Sequence, residues 1–432
     1  MTRHGAGPVL AVLAIAVLAA CGPDAEPVEP ADLAIVGAQL IDGTGTEPVA
    51  DSIILIDGGR VRTAGPSDAV EVPDGTEVVD AAGKTVIPGF VDLHAHYGGP
   101  VEATEQALRS QLYYGVTTTR SIGSDTPEKV ALMLEAHAGR PDLPRAFTAG
   151  LGFSYPGGFN SGFTNTPTTE EEARAMVREQ AALGVHFSKM WINEVAEPGL
   201  KIPPEIRAAI VDESHKNGLI PVAHINEEAD GMQLLEVGLN EFMHTTVRTF
   251  GPGGGVPMED PVPSQAFLDE HPELLEDPEL RAVMNPRVLE RWSDEETRAA
   301  VLAADGFEGR KLSFRHMQDF TKALHDHGIQ VALGTDSGTP NVPMGWGTHH
   351  ELALYVEAGL TPMETLVAAT ATGAGRVPPV GEADFGTLTA GMSADLIVLN
   401  ADPLADIRNT LQIDRVMLRG EWVDRDALLP SE

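Results

Sequence analysis

The stretch from residue 86 to residue 96 reads Val-Ile-Pro-Gly-Phe-Val-Asp-Leu-His-Ala-His. Its apolar run predicts a buried strand that ends in polar residues. Because side chains alternate between the two faces of a strand, His94 and His96 project to the same side, at a spacing that lets two imidazoles bind one metal ion. The stretch therefore predicts a metal site at a strand end. The alternative is a strand end whose two histidines bind no ligand.

The composition is that of a globular protein with a strongly acidic surface. The chain has 432 residues, of which 42% are hydrophobic, and this is enough for a large core. Its 29 Lys and Arg against 64 Asp and Glu give a formal net charge of -35. Such a charge argues against nucleic acid and anionic lipid as partners. It leaves a small-molecule substrate open as a partner. A homo-oligomer is compatible with this composition.

Residues 1–31 predict export rather than a folded element. Residues 1–20 combine Arg3 with an apolar stretch that is short for a membrane span. The sequence Leu-Ala-Ala-Cys that ends at Cys21 resembles the lipobox of bacterial lipoproteins. This resemblance implies cleavage before Cys21, acylation of that cysteine, and a lipid anchor to the cell envelope, on its periplasmic or outer face, as the chain's membrane contact. Residues 21–31 are acidic and Pro-rich and predict a tether. The alternative is an ordinary secretory signal.

The two ends of the chain share a β-type texture that differs from the middle. Short apolar runs broken by turns occupy residues 32–88 and recur in residues 380–432, and Asp57-Gly58-Gly59 is a hairpin signal. These two ends predict one composite β-sandwich.

Residues 89–379 alternate strand-like and helix-like segments. Among them are a predicted strand at 330–333 and a helix start with a capping pattern at Thr169 to Glu172. This repeated alternation predicts parallel strands with crossover helices, and hence an α/β fold with a (β/α)8 TIM barrel. The region from Gly251 to Gly309 contains no clear strand, which leaves the seventh strand unplaced, and it is expected to form an enlarged loop over the barrel mouth.

Polar residues close several of the apolar strand runs. In barrels of this kind the active site lies at the carboxyl ends of the strands, so such residues are candidate ligands. They are His94, His96, Lys189, His224, His244 and Asp336. Four histidines, one lysine and one aspartate form a plausible set for two metal ions.

The order of these residues resembles the amidohydrolase superfamily, in its imidazolonepropionase-like and prolidase-like branch. Two framing segments add to the resemblance. Residues 83–96 resemble the family pattern G-K-x-V-x-P-G-F-V-D-x-H-x-H, and residues 386–396 resemble its closing G-x-L-x-x-G-x-x-A-D-L. The resemblance implies a metal-dependent hydrolase that cleaves a carbon–nitrogen bond in an amide, peptide-like or cyclic amide substrate.

The resemblance also implies a binuclear centre of divalent ions, expected to be zinc. His94, His96 and Asp336 would bind the more buried ion, and His224 with His244 the more exposed one. Lys189 would react with CO₂ to give a carbamate that bridges the ions, since its apolar surroundings favour the neutral amine. The alternative for Lys189 is a lysine that pairs with Asp336 or Glu227.

In this family a hydroxide that bridges the metals attacks the carbonyl carbon, and Asp336 would act as general base and then as general acid. Thr335 and Ser337 are expected to shape the loop of Asp336 rather than act as nucleophiles. The weaker candidates for substrate contact are Tyr97, Arg120, Tyr155 and Arg248.

Two other interpretations stay open. His224-Ile225-Asn226-Glu227 resembles the H-x-x-E segment of mononuclear deaminases and imidazolonepropionases, in which Glu227 would carry protons and one ion suffices. A surface lipoprotein that binds a ligand without catalysis is the alternative of a different class. Prolidase-like members usually have Gly-Gly-His after the third strand, whereas this chain has Gly157-Gly158-Phe159, so dipeptide hydrolysis does not follow from the resemblance.

Overall fold

The computed structural model describes residues 29–193, 200–243, 268, 270–284, 286–304, 307–339 and 342–429. The predicted signal segment, the lipidation site Cys21 and two predicted site residues, His244 and Arg248, lie outside the described residues. Among the described helices, none is both long enough and apolar enough to span a bilayer.

Strands lie at both ends of the chain and alternate with helices in the middle. The strands of the described part are β1 Leu33–Leu40, β2 Val49–Asp57, β3 Arg60–Pro66, β4 Glu77–Asp80, β5 Thr85–Pro88, β6 Phe90–Ala95, β7 Val116–Ser121, β8 Arg145–Thr148, β9 Phe187–Ile192, β10 Ile220–Ile225, β11 Glu241–Met243, β12 Leu396–Leu399, β13 Ile413–Leu418 and β14 Glu421–Trp422. The α-helices are α1 Val101–Tyr113, α2 Pro127–Ala138, α3 Glu170–Ala182, α4 Pro204–Lys216, α5 Glu228–Glu236, α6 Pro278–Val283, α7 Pro286–Ser293, α8 Glu295–Leu302, α9 Phe307–Asp326, α10 Trp346–Glu357 and α11 Pro362–Val367.

Helix starts follow signals that are visible in the sequence. At the start of α3, Glu172 N donates to Thr169 Oγ1 (3.2 Å) and Thr169 N donates to the Glu172 carboxylate (3.2 Å). This is the capping box that the sequence predicts at Thr169. Pro204 begins α4, where its missing N–H would have no partner inside the helix.

The two chain ends pair within one eight-stranded sheet. Its order is β14-β13-β12-β5-β1-β2-β3, with β4 beside β1. In the pairing of β12 with β5, Ile397 lies opposite Ile87, and both side chains are fully buried. The pairing agrees with the predicted association of the two ends. The sandwich and its boundaries stay predictions.

Parallel strands and helices alternate in the middle of the chain, which confirms the α/β class. β6, β7 and β8 form one parallel sheet, and β9, β10 and β11 form another. Backbone contacts continue between the two sheets, with a parallel bridge from Phe153 to Met190. The carboxyl ends of these strands therefore lie on one side, where the predicted ligands are. Closure into a (β/α)8 barrel stays a prediction.

The segment that leads to Asp336 differs from its prediction. The sequence predicts a strand at 330–333, but the structure shows no regular strand in this described segment. Leu93 N donates to Leu333 O (3.1 Å) and His96 N donates to Ser337 O (2.7 Å), so the segment lies beside β6. Between these contacts Asp336 has a φ of 54°, and this left-handed conformation interrupts the ladder.

The described part of the region from Gly251 to Gly309 corrects a second prediction. It contains helices α6, α7 and α8. The side chain of Glu279 in α6 forms a hydrogen bond with Tyr113, the last residue of α1. Because β7 begins shortly after α1 ends, α6 lies at the amino ends of the strands. The prediction of a loop over the mouth is therefore wrong for this helix.

Candidate metal centre

Three predicted ligands converge at the carboxyl end of β6. His94 Nε2 lies 3.2 Å from His96 Nε2. Asp336 Oδ1 lies 3.4 Å from His94 Nε2 and 3.3 Å from His96 Nε2. A tetrahedral zinc ion with ligand bonds of about 2.0–2.1 Å separates its ligand atoms by about 3.3 Å. The three sides of this triangle thus have the length that a tetrahedral zinc site requires.

The His96 ring is in the neutral form that binding of a metal cation requires. Burial lowers the pKa of His96 to about 3, with the nearby Lys189 amine as a second cause, so the ring is neutral at pH 7. Because Nε2 faces the cluster, the hydrogen bond of the ring with the backbone of Gly123 falls to Nδ1. Nε2 then directs a lone pair towards the carboxylate of Asp336. Two acceptors that face each other repel unless a cation lies between them.

Asp336 reaches this triangle from a strained turn. Its φ of 54° is in the left-handed region that non-glycine residues seldom adopt. Burial raises the pKa of Asp336 to about 6, and the Lys189 amine partly offsets this rise. The carboxyl group is therefore mostly ionised at neutral pH. Its side chain is 33% exposed, so a substrate can approach it.

Lys189 lies in the middle of β9 and is fully buried. Its Nζ has no hydrogen-bond partner among the described residues and lies 5.2 Å from the centre of the Trp191 ring. Burial, with a smaller contribution from the Arg120 guanidinium, lowers the pKa of this amine to about 7, although Asp336 and Glu241 oppose the shift. A buried amine with this pKa is largely uncharged above neutral pH.

Of the two histidines predicted for the second ion, His244 lies outside the described residues and His224 is not part of the triangle. His224 lies in β10 opposite Trp191, and its side chain shares a face with Lys189 because Val222 is opposite Lys189. His224 Nε2 forms a hydrogen bond with Asn226 Oδ1 (3.1 Å). The group of ligand atoms that lie within 4.8 Å of one another, among the described residues, contains His94, His96 and Asp336 only. The six-ligand set stays a prediction.

Glu227, the proton carrier of the alternative mechanism, is bound by a lysine. Lys201 Nζ lies 3.2 Å from Glu227 Oε2 and 2.9 Å from Asp230 Oδ2. Arg207, which is buried, also donates to Asp230 (2.8 Å). The carboxylate of Glu227 is thus held in an ion-pair network next to the end of β10.

The weaker candidates for substrate contact have protein partners. The Tyr97 hydroxyl is buried and lies 2.8 Å from Thr119 Oγ1. The Arg120 guanidinium is buried and forms a two-pronged ion pair with Glu241 (2.5 and 3.0 Å). Tyr155 is half-buried in the loop after β8. Substrate contact by these residues stays a prediction.

Asp92, which supports the centre from beside it, was not among the residues predicted from the sequence. It is fully buried in β6 and accepts hydrogen bonds from His94 N (3.1 Å) and Thr335 Oγ1 (2.7 Å). The sequence signal for it was an acidic residue inside an apolar strand run, two residues before His94. The expectation that Thr335 shapes the loop of Asp336 agrees with this hydrogen bond.

Comparison with known proteins shows what the chain resembles. Residues 265–423 match the amidohydrolase family. Imidazolonepropionase of Streptomyces griseus subsp. griseus is 28% identical over 392 residues, which cover 84% of this chain and 89% of that protein. A prolidase-like structure from Bifidobacterium longum is 25% identical with a TM-score of 0.69, over 92% of this chain and 97% of that one. A Xaa-Pro dipeptidase structure is 19% identical with a TM-score of 0.68, over 93% and 100%.

These matches have two consequences for the chain. The fold is an α/β fold of the kind seen in amidohydrolase structures. The match of residues 265–423 to the amidohydrolase family and the similar proteins support an enzyme, a hydrolase that acts on carbon–nitrogen bonds. This speaks against a ligand-binding lipoprotein without catalysis. The metal triangle is consistent with a family that binds metal ions.

Proposed function

We propose that this chain is a metal-dependent hydrolase that cleaves the carbon–nitrogen bond of an amide, peptide-like or cyclic amide substrate. The proposal is carried by the triangle of His94, His96 and Asp336, because its three ligand atoms have the spacing of a zinc site. When bound, divalent ions supply a water of lowered pKa and polarise the carbonyl group of the scissile bond. Residues of the chain would hold the ions and transfer the protons.

Asp336 is the proposed proton carrier. Its carboxylate takes a proton from the attacking water and returns it to the nitrogen of the leaving amine. A pKa of about 6 supports both roles, since the group is ionised before the reaction yet holds a proton during it. The partial exposure of its side chain supports contact with substrate.

A carbamate on Lys189 is the proposed bridge between two ions. The support is a buried amine with a pKa of about 7 and no hydrogen-bond partner for Nζ in the described part of the chain. The lone pair of the neutral amine forms a bond to the carbon of CO₂, and the nitrogen releases one proton. The product is an anion with two oxygen donors. His224 and His244 are the proposed ligands of the second ion.

Metal content and hydrolysis, measured on the same samples, test this proposal. The zinc-loaded protein is screened against N-acyl amino acids, dipeptides, cyclic amides and esters. We expect two zinc ions per chain and hydrolysis of an amide, and Lys189→Ala should lose the second ion together with activity. The matched control is Lys216→Ala, which removes an exposed lysine from α4. A fully active Lys189→Ala enzyme with one ion would refute the bridge, and activity confined to aminated heterocycles would refute the substrate class.

A second candidate is a ring hydrolase or deaminase with a single ion, in which Glu227 carries the protons. The similarity to imidazolonepropionase over most of the chain favours it. Glu227→Gln separates the two candidates: it abolishes turnover if Glu227 carries the protons and leaves most of it if Asp336 does. Lys201→Met is the matched control, because it frees the Glu227 carboxylate without removing it.

Export and lipid anchoring through Cys21 are proposed from residues 1–31 alone. The support is the apolar segment that ends in Leu-Ala-Ala-Cys. The full chain, expressed in a bacterium, is expected in the membrane fraction, and Cys21→Ser should release it or leave it uncleaved. A Cys21→Ser protein that is processed and stays with the membranes would contradict the anchor.

A further inference from the structure

A buried carboxylate adjoins the candidate metal centre without belonging to it. Asp92 Oδ1 accepts hydrogen bonds from His94 N and Thr335 N, both at 3.1 Å. Oδ2 accepts from Thr335 Oγ1 (2.7 Å) and from Gln111 Nε2 (3.2 Å). Four donors fill the acceptor sites of an ionised carboxylate. Asp92 thereby joins β6, helix α1 and the segment of Asp336.

Both sequence neighbours of Asp336 belong to this network. Thr335 Oγ1 donates to Asp92 and accepts from Ser337 N (3.1 Å). Gln111 Nε2 also donates to Ser337 Oγ (3.2 Å). Asp92, Gln111 and Ser337 are fully buried. The residues on either side of Asp336 are therefore hydrogen-bonded, through Asp92 and Gln111, to β6 and α1.

The turn is also packed tightly against β6. A Cβ atom added at Gly338 would lie 1.7 Å from His96 O, and one added at Gly334 would lie 3.0 Å from His94 Cβ. Between these glycines, Asp336 adopts a left-handed φ of 54°. A non-glycine residue in this conformation costs roughly 1–3 kcal/mol, so the surrounding contacts must hold it there. The Asp92 network supplies such contacts.

We propose that Asp92 is a positioning residue for the metal centre. Its carboxylate fixes the turn of Asp336 against β6. Before an ion binds, Asp336 Oδ1 therefore already has the spacing from His94 Nε2 and His96 Nε2 that two ligands of one zinc ion have. The inference rests on the proposed function, because it concerns the same centre. Loss of partners that orient metal ligands typically weakens metal binding by about 10–100-fold. The network therefore predicts that zinc affinity depends on groups that never touch zinc.

Zinc affinity of the whole chain, measured by competition with a chromophoric chelator, tests this inference. Asp92→Asn keeps the shape but places an NH₂ group opposite hydrogen-bond donors. Thr335→Val removes the hydroxyl, whereas Thr335→Ser retains it. We expect Asp92→Asn and Thr335→Val to lower zinc affinity about 10–100-fold and Thr335→Ser to keep it near the wild-type value. Zinc release should accelerate in the same two variants.

Thr410→Val is the matched control for general destabilisation. Thr410 is a fully buried threonine whose hydroxyl donates to Ile407 O (2.8 Å), and it is not part of the Asp92 network. Loss of the Thr410 hydroxyl should lower the melting temperature of the zinc-free protein and leave its zinc affinity unchanged. If Asp92→Asn fails to fold, the pair of Thr335 variants decides.

The possible failures are distinguishable. Wild-type zinc affinity in Thr335→Val, or an equal loss in Thr410→Val, refutes the positioning role alone. A wild-type chain that binds no zinc refutes the proposed function, and the positioning role falls with it.

Discussion

Replacing Lys189 by methionine should stabilise the metal-free protein while destroying its function. The amine is fully buried, and burial lowers its pKa from 10.5 to about 7. Because the unfolded chain keeps the ordinary value, this difference destabilises the folded state by about 4 kcal/mol at neutral pH. Methionine has a similar length and no charge, so it fits the apolar site without that cost. A site selected for stability alone would not contain this lysine.

The stabilisation by Lys189→Met should change with pH in a defined direction. A folded-state pKa below the unfolded value destabilises the fold fully below about pH 7 and not at all above about pH 10.5. The stability advantage of Lys189→Met over wild type should therefore shrink steadily between these values. Urea unfolding of both proteins, in chelator and CO₂-depleted buffer, measures it across this range. An advantage that is absent at pH 7, or that does not change with pH, would show that burial of this amine does not destabilise the fold.

Four further expectations follow from the site. Asp336→Asn should lower kcat about 10²–10⁴-fold in steady-state assays, because general acid–base catalysis contributes this much. Since burial raises the pKa of Asp336 to about 6 and lowers that of His96 to about 3, zinc affinity in titrations should fall below about pH 6 through protonation of Asp336. Arg120→Met leaves Glu241 uncompensated and should lower unfolding free energy by about 3–5 kcal/mol in denaturant titrations. Chelation of bound zinc should lower the melting temperature, and readdition should restore it. A pH-independent affinity, a neutral Arg120→Met or an unchanged melting temperature would contradict the corresponding expectation.

The sequence predicted those features that depend on local pattern. Strand alternation in residues 86–96 placed His94 and His96 on one face, and the structure brings their Nε2 atoms within 3.2 Å. Asp336 was predicted to join them from the end of a strand, and it does lie beside them, although the segment that leads to it forms no regular strand. The capping box at Thr169 was equally local.

The remaining features of the fold and the site depend on contacts between distant segments, which a local sequence pattern does not predict. A left-handed Asp336 beside two close-packed glycines replaced the expected strand, since the turn must pass directly over β6. The attachment of α6 beside Tyr113, away from the mouth, follows from packing between distant segments. Asp92 stood in the motif from the start, but its four hydrogen bonds come from three separate elements.

Anomalous diffraction from crystals grown with zinc measures directly whether His94, His96 and Asp336 bind a metal ion. The account predicts an anomalous peak at the zinc edge about 2.0–2.1 Å from His94 Nε2 and His96 Nε2 and within bonding distance of Asp336. It also predicts that the peak disappears in the His94→Ala/His96→Ala double variant. A zinc-soaked crystal with full occupancy elsewhere and no peak between these three side chains would contradict the claim.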